Sequence, residues 1–394
     1  MAGREVVVVS GVRTAIGDYG GTLKDLAPAE LAALVVREAV TRAGIDPAQV
    51  GHVVFGSVLH GEARDMYISR VAMINGGIPK ETPALTVNRL CGSGLQAVIT
   101  AANAIMLGDA DAALAGGVES MSRAGYLLPS ARWGARMGDN KIIDMMTGAL
   151  TDPFASVHMG ITAENVAAKH GITREEQDAF AVQSHQRAAA ATAAGYFKEQ
   201  ILPIEIASRK GPIQFTADEH IRGESSMESM AKLKTVFKKD GVVTAGNASG
   251  INDGAAALIL MEAGAAQKAG LKPMARLVSY AHAGVDPAYM GEGPIPAVAK
   301  ALERAGLKVS DLDVIESNEA FAAQALAVTK KLGLDPAKVN PNGGAIALGH
   351  PIGATGCILT IKALYELQRT QKRYALVTMC IGGGQGIAGI FERM

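Results

Sequence analysis

The chain of 394 residues predicts an α/β layered fold made of two similar halves, the first carrying a long insertion. Helix-period stretches such as 29–43 alternate with short apolar runs such as Val53-Val54-Phe55, each bounded by Gly, Asp or Pro. The same helix, loop and strand then recur: residues 39–53 read AVTRAGIDPAQVGHV and 301–315 read ALERAGLKVSDLDVI, with Arg304 standing 262 positions after Arg42. A second pair of strand-like runs, 111–117 and 374–380, lies 263 positions apart. One such match is within chance, but two at nearly one offset imply duplication of a βαβ-type domain.

Taken in order, the chain opens on the apolar run from Val6 to Val9, expected to be a buried strand. The helix that follows ends at Gly44, and its counterpart at Gly306, because glycine takes the left-handed backbone that closes a helix. The repeat breaks near Ser120 and resumes near Asn247, and residues 255–261 read as a returning strand of the first half. Three units are therefore expected: 1–119 with 248–270, an inserted domain 120–247, and 271–394. The insertion holds Trp133, much of the methionine, helical patterns at 162–169 and 174–194, and a charged region from Arg209 to Lys239, and covering a substrate is its expected role.

Composition narrows the functional classes. Lysine plus arginine number 38, as do aspartate plus glutamate, and aromatics make up 4%, so neither a positive field nor stacking platforms favour a nucleic-acid partner. Hydrophobic residues make up 48%, yet no apolar run is expected to reach the roughly 18 residues of a membrane span, so no membrane partner is expected. No signal or transit peptide is expected ahead of Val6, and Glu392-Arg393-Met394 is no peroxisomal address. The three cysteines, Cys91, Cys357 and Cys380, are too scattered for a disulfide framework or a metal site, which points to free thiols and a cytoplasmic protein.

Four clusters of small residues carry groups able to do chemistry. Cys91 falls where the strand-like run from Ala84 gives way through Gly92-Ser93-Gly94 to a helix-like run. Unpaired N–H groups and the dipole at a helix start favour a thiolate, and a fall of its pKa from about 8.5 to about 7 is worth roughly 2 kcal/mol. The same N–H groups suit an oxyanion, while a buried structural cysteine is the plainer local reading. His350 stands in the glycine-rich segment 340–356, where Pro351 keeps it from helical geometry; an aimed imidazole is expected, with a merely loop-bonded one as the alternative.

Cys380 ends a strand, and four of the next six residues are glycine, which lets a side chain and several N–H groups converge on one small group. Within that stretch Gly384-Gln-Gly386-Ile-Ala-Gly389 matches G-x-G-x-x-G. Only five residues follow it, too few for the helix that would receive a pyrophosphate, so dinucleotide binding is not expected. Asn318, after the strand-like 312–315, reads locally as an N-cap.

Together, Cys91-Gly-Ser-Gly, Asn318-Glu-Ala-Phe-Ala, Gly349-His350-Pro-Ile-Gly-Ala-Thr-Gly and Cys380-Ile-Gly-Gly-Gly-Gln-Gly resemble the four active-site blocks of the thiolase family in order and spacing. The likeness spans the chain, including Val12-Arg13-Thr14, His158-Met159-Gly160 and Asn247-Ala-Ser249-Gly250, and is greatest to bacterial biosynthetic β-ketothiolases and acetyl-CoA acetyltransferases. It implies βαβαβαββ halves forming a five-layered αβαβα core with an inserted loop domain. It also implies Claisen condensation of acyl-CoA with acetyl-CoA, or thiolysis of 3-ketoacyl-CoA, with no cofactor or metal.

In the roles so implied, Cys91 holds the acyl group, His350 accepts its proton and Cys380 takes the α-proton of acetyl-CoA. His350 with a water on Asn318 forms one oxyanion site, and the N–H groups of Cys91 and Gly382 form the other. Ser249 matches a pantetheine contact, Arg222 and Ser229 match positions near the nucleotide, and His158, Met159, Met290 and Phe321 match the acyl pocket. For Arg222, Lys232 and Lys234 a solvated charged face is the alternative. Residues 121–146 resemble a tetramerisation loop, so a homotetramer is expected, with a dimer as the alternative.

Fatty-acid condensing enzymes and hydroxymethylglutaryl-CoA synthases share the cysteine chemistry, but Cys380 speaks against the former and the four-block pattern against the latter. A non-catalytic CoA- or lipid-binding relative is a further reading, opposed by the joint presence of Cys91, Asn318, His350 and Cys380.

Overall fold

The computed structural model describes residues 3–207 and 211–394, so Met1, Ala2 and the start of the charged region, Arg209 and Lys210, lie outside the described residues. In chain order the main elements are β1 (Val6–Thr14), α1 (Pro28–Ala43), β2 (His52–Gly56), α2 (Ile68–Asn75), β3 (Ala84–Val87), α3 (Ser93–Leu107) and β4 (Ala112–Ser120). The inserted region carries α4 (Met159–His170) and α5 (Arg174–Ala193), after which β5 (Asn252–Glu262) completes the first half. The second half runs β6 (Ala275–Gly284), α6 (Pro294–Ala305), β7 (Val314–Ser317), α7 (Ala322–Leu332), α8 (Thr355–Thr370), β8 (Tyr374–Ile381) and β9 (Gln385–Arg393).

The first half forms a sheet of order β3-β2-β4-β5-β1, and the second a sheet of order β6-β9-β8-β7. β2, β3 and β4 run parallel while β5 returns antiparallel to β4 and β1. β8 is likewise parallel to β7 and antiparallel to β9. β4 and β5 are buried along nearly their whole length, which explains why they read as continuous rather than alternating apolar runs. A short antiparallel pairing, Val7 with Arg276 and Val8 with Ala275, joins the two sheets edge to edge.

The third strand expected in the second half is reduced to one parallel bridge between Ile315 and Val339. Asn340 then turns the chain at a φ of 44° into the glycine-rich loop, so no longer strand can form there.

α1 and α2 pack on one another beside the first sheet, α6 packs on β6 and β9, and α3 and α8 pack against each other between the halves. That last contact depends on two glycines. A Cβ on Gly94 would lie 2.7 Å from the Cys357 nitrogen, and one on Gly356 would lie 2.0 Å from the Leu95 nitrogen. Cys357 seals the contact by donating its thiol hydrogen to the Gly94 carbonyl at 3.2 Å.

The window Leu90–Leu107 does have the length and hydropathy of a membrane span, at a mean hydropathy of 1.5, contrary to the expectation from the sequence. Its apolar surface is that of α3, the helix sandwiched between the halves and largely buried there.

Candidate active site

Cys91 sits in the turn between β3 and α3. Leu90 takes a φ of 46°, a left-handed conformation a branched side chain rarely adopts, and the Asn88 side chain holds it by accepting its N–H at 2.9 Å. Ser93 closes the turn, accepting from the Arg89 N–H and donating to the Leu90 carbonyl. The helix begins only at Ser93, so Cys91 stands ahead of the first turn and presents its thiol to a cavity of about 460 Å³.

The expected low pKa is not what this position produces. Burial pushes the Cys91 thiol up to about 11, although the N–H groups of Gly382 and of Cys91 itself pull it down. Desolvation of a charged sulfur outweighs two hydrogen bonds. Those two N–H groups are directed at the Cys91 sulfur.

His350 comes from the loop ahead of α8. Gly349, at a φ of 109°, lets the Asn252 side chain stand 2.5 Å from where a Cβ would be, and Asn252 Oδ1 accepts the His350 N–H at 2.9 Å. The ring's Nδ1 lies 2.7 Å from Thr355 Oγ1, whose own hydrogen goes to the Pro351 carbonyl at 2.9 Å. The hydroxyl therefore accepts from Nδ1–H, and Nε2 is left as the basic atom. Burial holds the imidazole down at about 4, so it is neutral at rest.

Asn318 follows β7 and donates its backbone N–H to the Thr378 carbonyl. It is not the N-cap its local sequence suggested, because α7 starts only at Ala322. Its Nδ2 lies 3.4 Å from His350 Nε2, and its Oδ1 is buried without a hydrogen-bond partner among the described residues. Cys380, at the end of β8, is fully buried on the cavity wall, and burial together with the nearby Cys91 pushes its thiol upward.

The rest of the wall is mainly apolar. Met159, Met290, Phe321, Ala248 and Cys380 pack in one buried cluster. His158 caps α4 by accepting the Gly160 N–H on Nδ1, and its ring stacks on Phe237 at 4.6 Å, which in turn meets Phe321 edge-on. Ser249 lies on the wall, its N–H donated to the Ala320 carbonyl.

The structure thus brings Cys91, His350, Cys380, Gly382, Ser249, His158, Met159, Met290 and Phe321 to one cavity, with Asn318 behind His350. Arg222 and Ser229 are not on its wall. Arg222 pairs with Asp18 at 3.1 Å, and Ser229 shares a reciprocal capping box with Ser226 at a short helix start. Lys232 pairs with Glu228 on an exposed face. Sequence reasoning missed Leu150, Phe237, Ile352 and His220, which also line the cavity. No motif flanks Leu150, Phe237 or His220, whereas Ile352, like Thr355, lies inside the segment that carries His350, a stretch already singled out.

A thiol ahead of a helix start, a second buried thiol, an oriented imidazole and two N–H groups on the first sulfur are the groups that an enzyme carrying acyl groups on cysteine would need. The comparisons with known proteins narrow that class. Residues 6–264 match the thiolase N-terminal domain and residues 271–393 the thiolase C-terminal domain. The chain is 67% identical to the beta-ketothiolase BktB of Cupriavidus necator, over 99% of this chain and 100% of that protein. It is 54% identical to an acetyl-CoA acetyltransferase of Syntrophomonas wolfei over 99% and 100%. Among solved structures, human mitochondrial 3-ketoacyl-CoA thiolase in complex with CoA superposes with a TM-score of 0.96 at 46% identity, covering 99% of this chain and 98% of that one. The chain belongs to the thiolase family.

Proposed function

We propose that the β-ketothiolase reaction of this chain, reversible condensation of an acyl-CoA with acetyl-CoA, runs through an acyl group held on Cys91. The observation that carries this reading is that three neutral groups, Cys91, His350 and Cys380, meet in one cavity with the N–H of Gly382 bonded to the Cys91 sulfur. In the first half-reaction the Cys91 sulfur attacks the thioester carbon while its proton passes to His350 Nε2, and the carbonyl oxygen is held by the N–H groups of Cys91 and Gly382. The carbon–sulfur bond to CoA breaks, and the departing thiolate takes the proton of Cys380.

The Cys380 thiolate so formed is the base for the second half. It removes the α-proton of acetyl-CoA, whose enolate oxygen is met by the Nε2–H of the imidazolium and by a water on Asn318. The enolate carbon attacks the acyl-Cys91 carbonyl, the 3-ketoacyl-CoA leaves, and the Cys91 thiolate recovers its proton from His350. Every group returns to its resting state, and thiolysis is the same sequence reversed.

The CoA thioester enters past Ser249, with His158, Met159, Met290 and Phe321 around the acyl group and Arg222 and Ser229 toward the nucleotide. The three units 1–119 with 248–270, 120–247 and 271–394 belong to this reading as scaffold, cover and scaffold. So does a cytoplasmic homotetramer formed through the exposed apolar residues of 121–146.

Mass spectrometry after brief mixing with acetyl-CoA or acetoacetyl-CoA tests the covalent step. An acetyl adduct is expected on the peptide holding Cys91 and is absent in Cys91→Ser. An adduct on Cys380 instead would overturn the assignment.

A further inference from the structure

Glu119, at the end of β4, is 1% exposed and has no part in the steps above. Its carboxylate accepts three main-chain N–H groups. Oε1 takes Leu59 at 3.0 Å, and Oε2 takes Val58 at 3.1 Å and Gly353 at 2.8 Å. Two of these donors belong to the loop after β2, and the third to the turn His350-Pro351-Ile352-Gly353. That turn comes so close that a Cβ on Gly353 would lie 2.6 Å from Glu119 Oε2. Among the described residues no lysine, arginine or histidine pairs with this carboxyl group, so the three N–H groups offset its burial only in part, and burial still holds its pKa up at about 8. Leu59 and Ile352, carried by the two loops it ties, pack with Met121 into one buried cluster flanked by Cys91.

We propose that Glu119 is the positioning residue of the active site, fixing the His350 turn to the loop at 58–59 so that Nε2 and the Met121–Ile352 wall hold their places beside Cys91. The inference rests on the role given to His350. Cys91 feels the charge of Glu119, and Glu119 in turn feels that of Asp253. Glu119 ionises at about 8 and Cys91 at about 11, so the carboxylate is already negative when the thiol titrates and opposes the thiolate.

Glu119→Gln keeps the volume but turns one acceptor into a donor facing Leu59 or the Val58 and Gly353 pair. A misplacement of this kind lowers kcat for acetoacetyl-CoA thiolysis by about 100-fold, with KM for both substrates held within about twofold. The pH dependence of Cys91 alkylation by iodoacetamide shifts to lower pH, which a merely structural role would not produce. Glu119→Asp restores the charge without the reach, so its alkylation profile returns toward wild type while kcat stays low.

If Glu119→Gln fails to fold, Gly353→Ala disturbs the same contact from the other side, with the same kcat loss and an unshifted alkylation profile. Unchanged kcat in either folded variant, a loss carried by KM, or an unshifted profile in Glu119→Gln overturns the proposal. A fully active His350→Ala would instead overturn the reading of the site on which it rests.

Discussion

Cys91 and His350 are both neutral at rest, the thiol held up at about 11 and the imidazole down at about 4, in each case chiefly by burial. A thiolate waiting in the free enzyme is therefore expected to be rare, and in the proposed mechanism the proton transfer accompanies attack on the substrate. Alkylation of Cys91 by iodoacetamide is expected to rise about tenfold per pH unit from neutral to strongly alkaline pH, read as second-order rate constants; a plateau near neutrality would show a preformed thiolate. In the proposed mechanism Asn318 serves the enolate alone, so in Asn318→Ala turnover is expected to fall by about 100-fold, while the rate of Cys91 acylation in a rapid-quench assay is expected to stay near wild type. Equal losses in both steps would move Asn318 out of the enolate site. The residue types were legible in the sequence because four motifs carry them. Their electrostatics were not, since a helix start is visible in a string of letters and the desolvation of the sulfur ahead of it is not.

α3 and α8 cross at Gly94 and Gly356, and this contact aligns the turn before Cys91 with the loop before Thr355. Gly356→Ala would gain helix propensity, worth up to about 1 kcal/mol. The Cβ 2.0 Å from the Leu95 nitrogen meets backbone rather than a movable side-chain tip, so overpacking of about 1–3 kcal/mol outweighs that gain. The expected result in urea unfolding is a net loss of stability with a fall in kcat. Gly148→Ala is the control, because a Cβ there has nothing within 4 Å in the short helix Met145–Ala149, and it is expected to stabilise by about 0.5–1 kcal/mol. A stabilised Gly356→Ala would mean that the helices separate freely and that the contact does not set the site. The repeat was readable at this scale from the glycines that end α1 and α6. The third strand of the second half was not, because the residues after Val339 form a loop shaped by what it holds, His350, rather than by its own pairing.

Across the whole molecule, duplication explains both the joined sheets and the placing of the chemistry, since each half contributes a central helix and the loop before it to one cavity. The inserted region is where the sequence said least about structure. Its segment at 121–146 leaves Tyr126, Leu127, Trp133, Met137 and Ile142 exposed, with Met137 at 96% and Trp133 at 83%. So much apolar surface on one arm favours burial against another copy of the chain. Trp133 is the only tryptophan, so its emission reports the arm alone. Wild-type protein is expected to elute as a tetramer in light-scattering chromatography, with emission that moves to the red on dilution as the indole meets water. Trp133→Glu sets a charge on that face and is expected to yield a smaller assembly with kcat for thiolysis unchanged, since Trp133 is not on the cavity wall. Emission that is already red and independent of concentration would show that the arm stays in solvent, and the exposed apolar residues would then need a partner other than this chain.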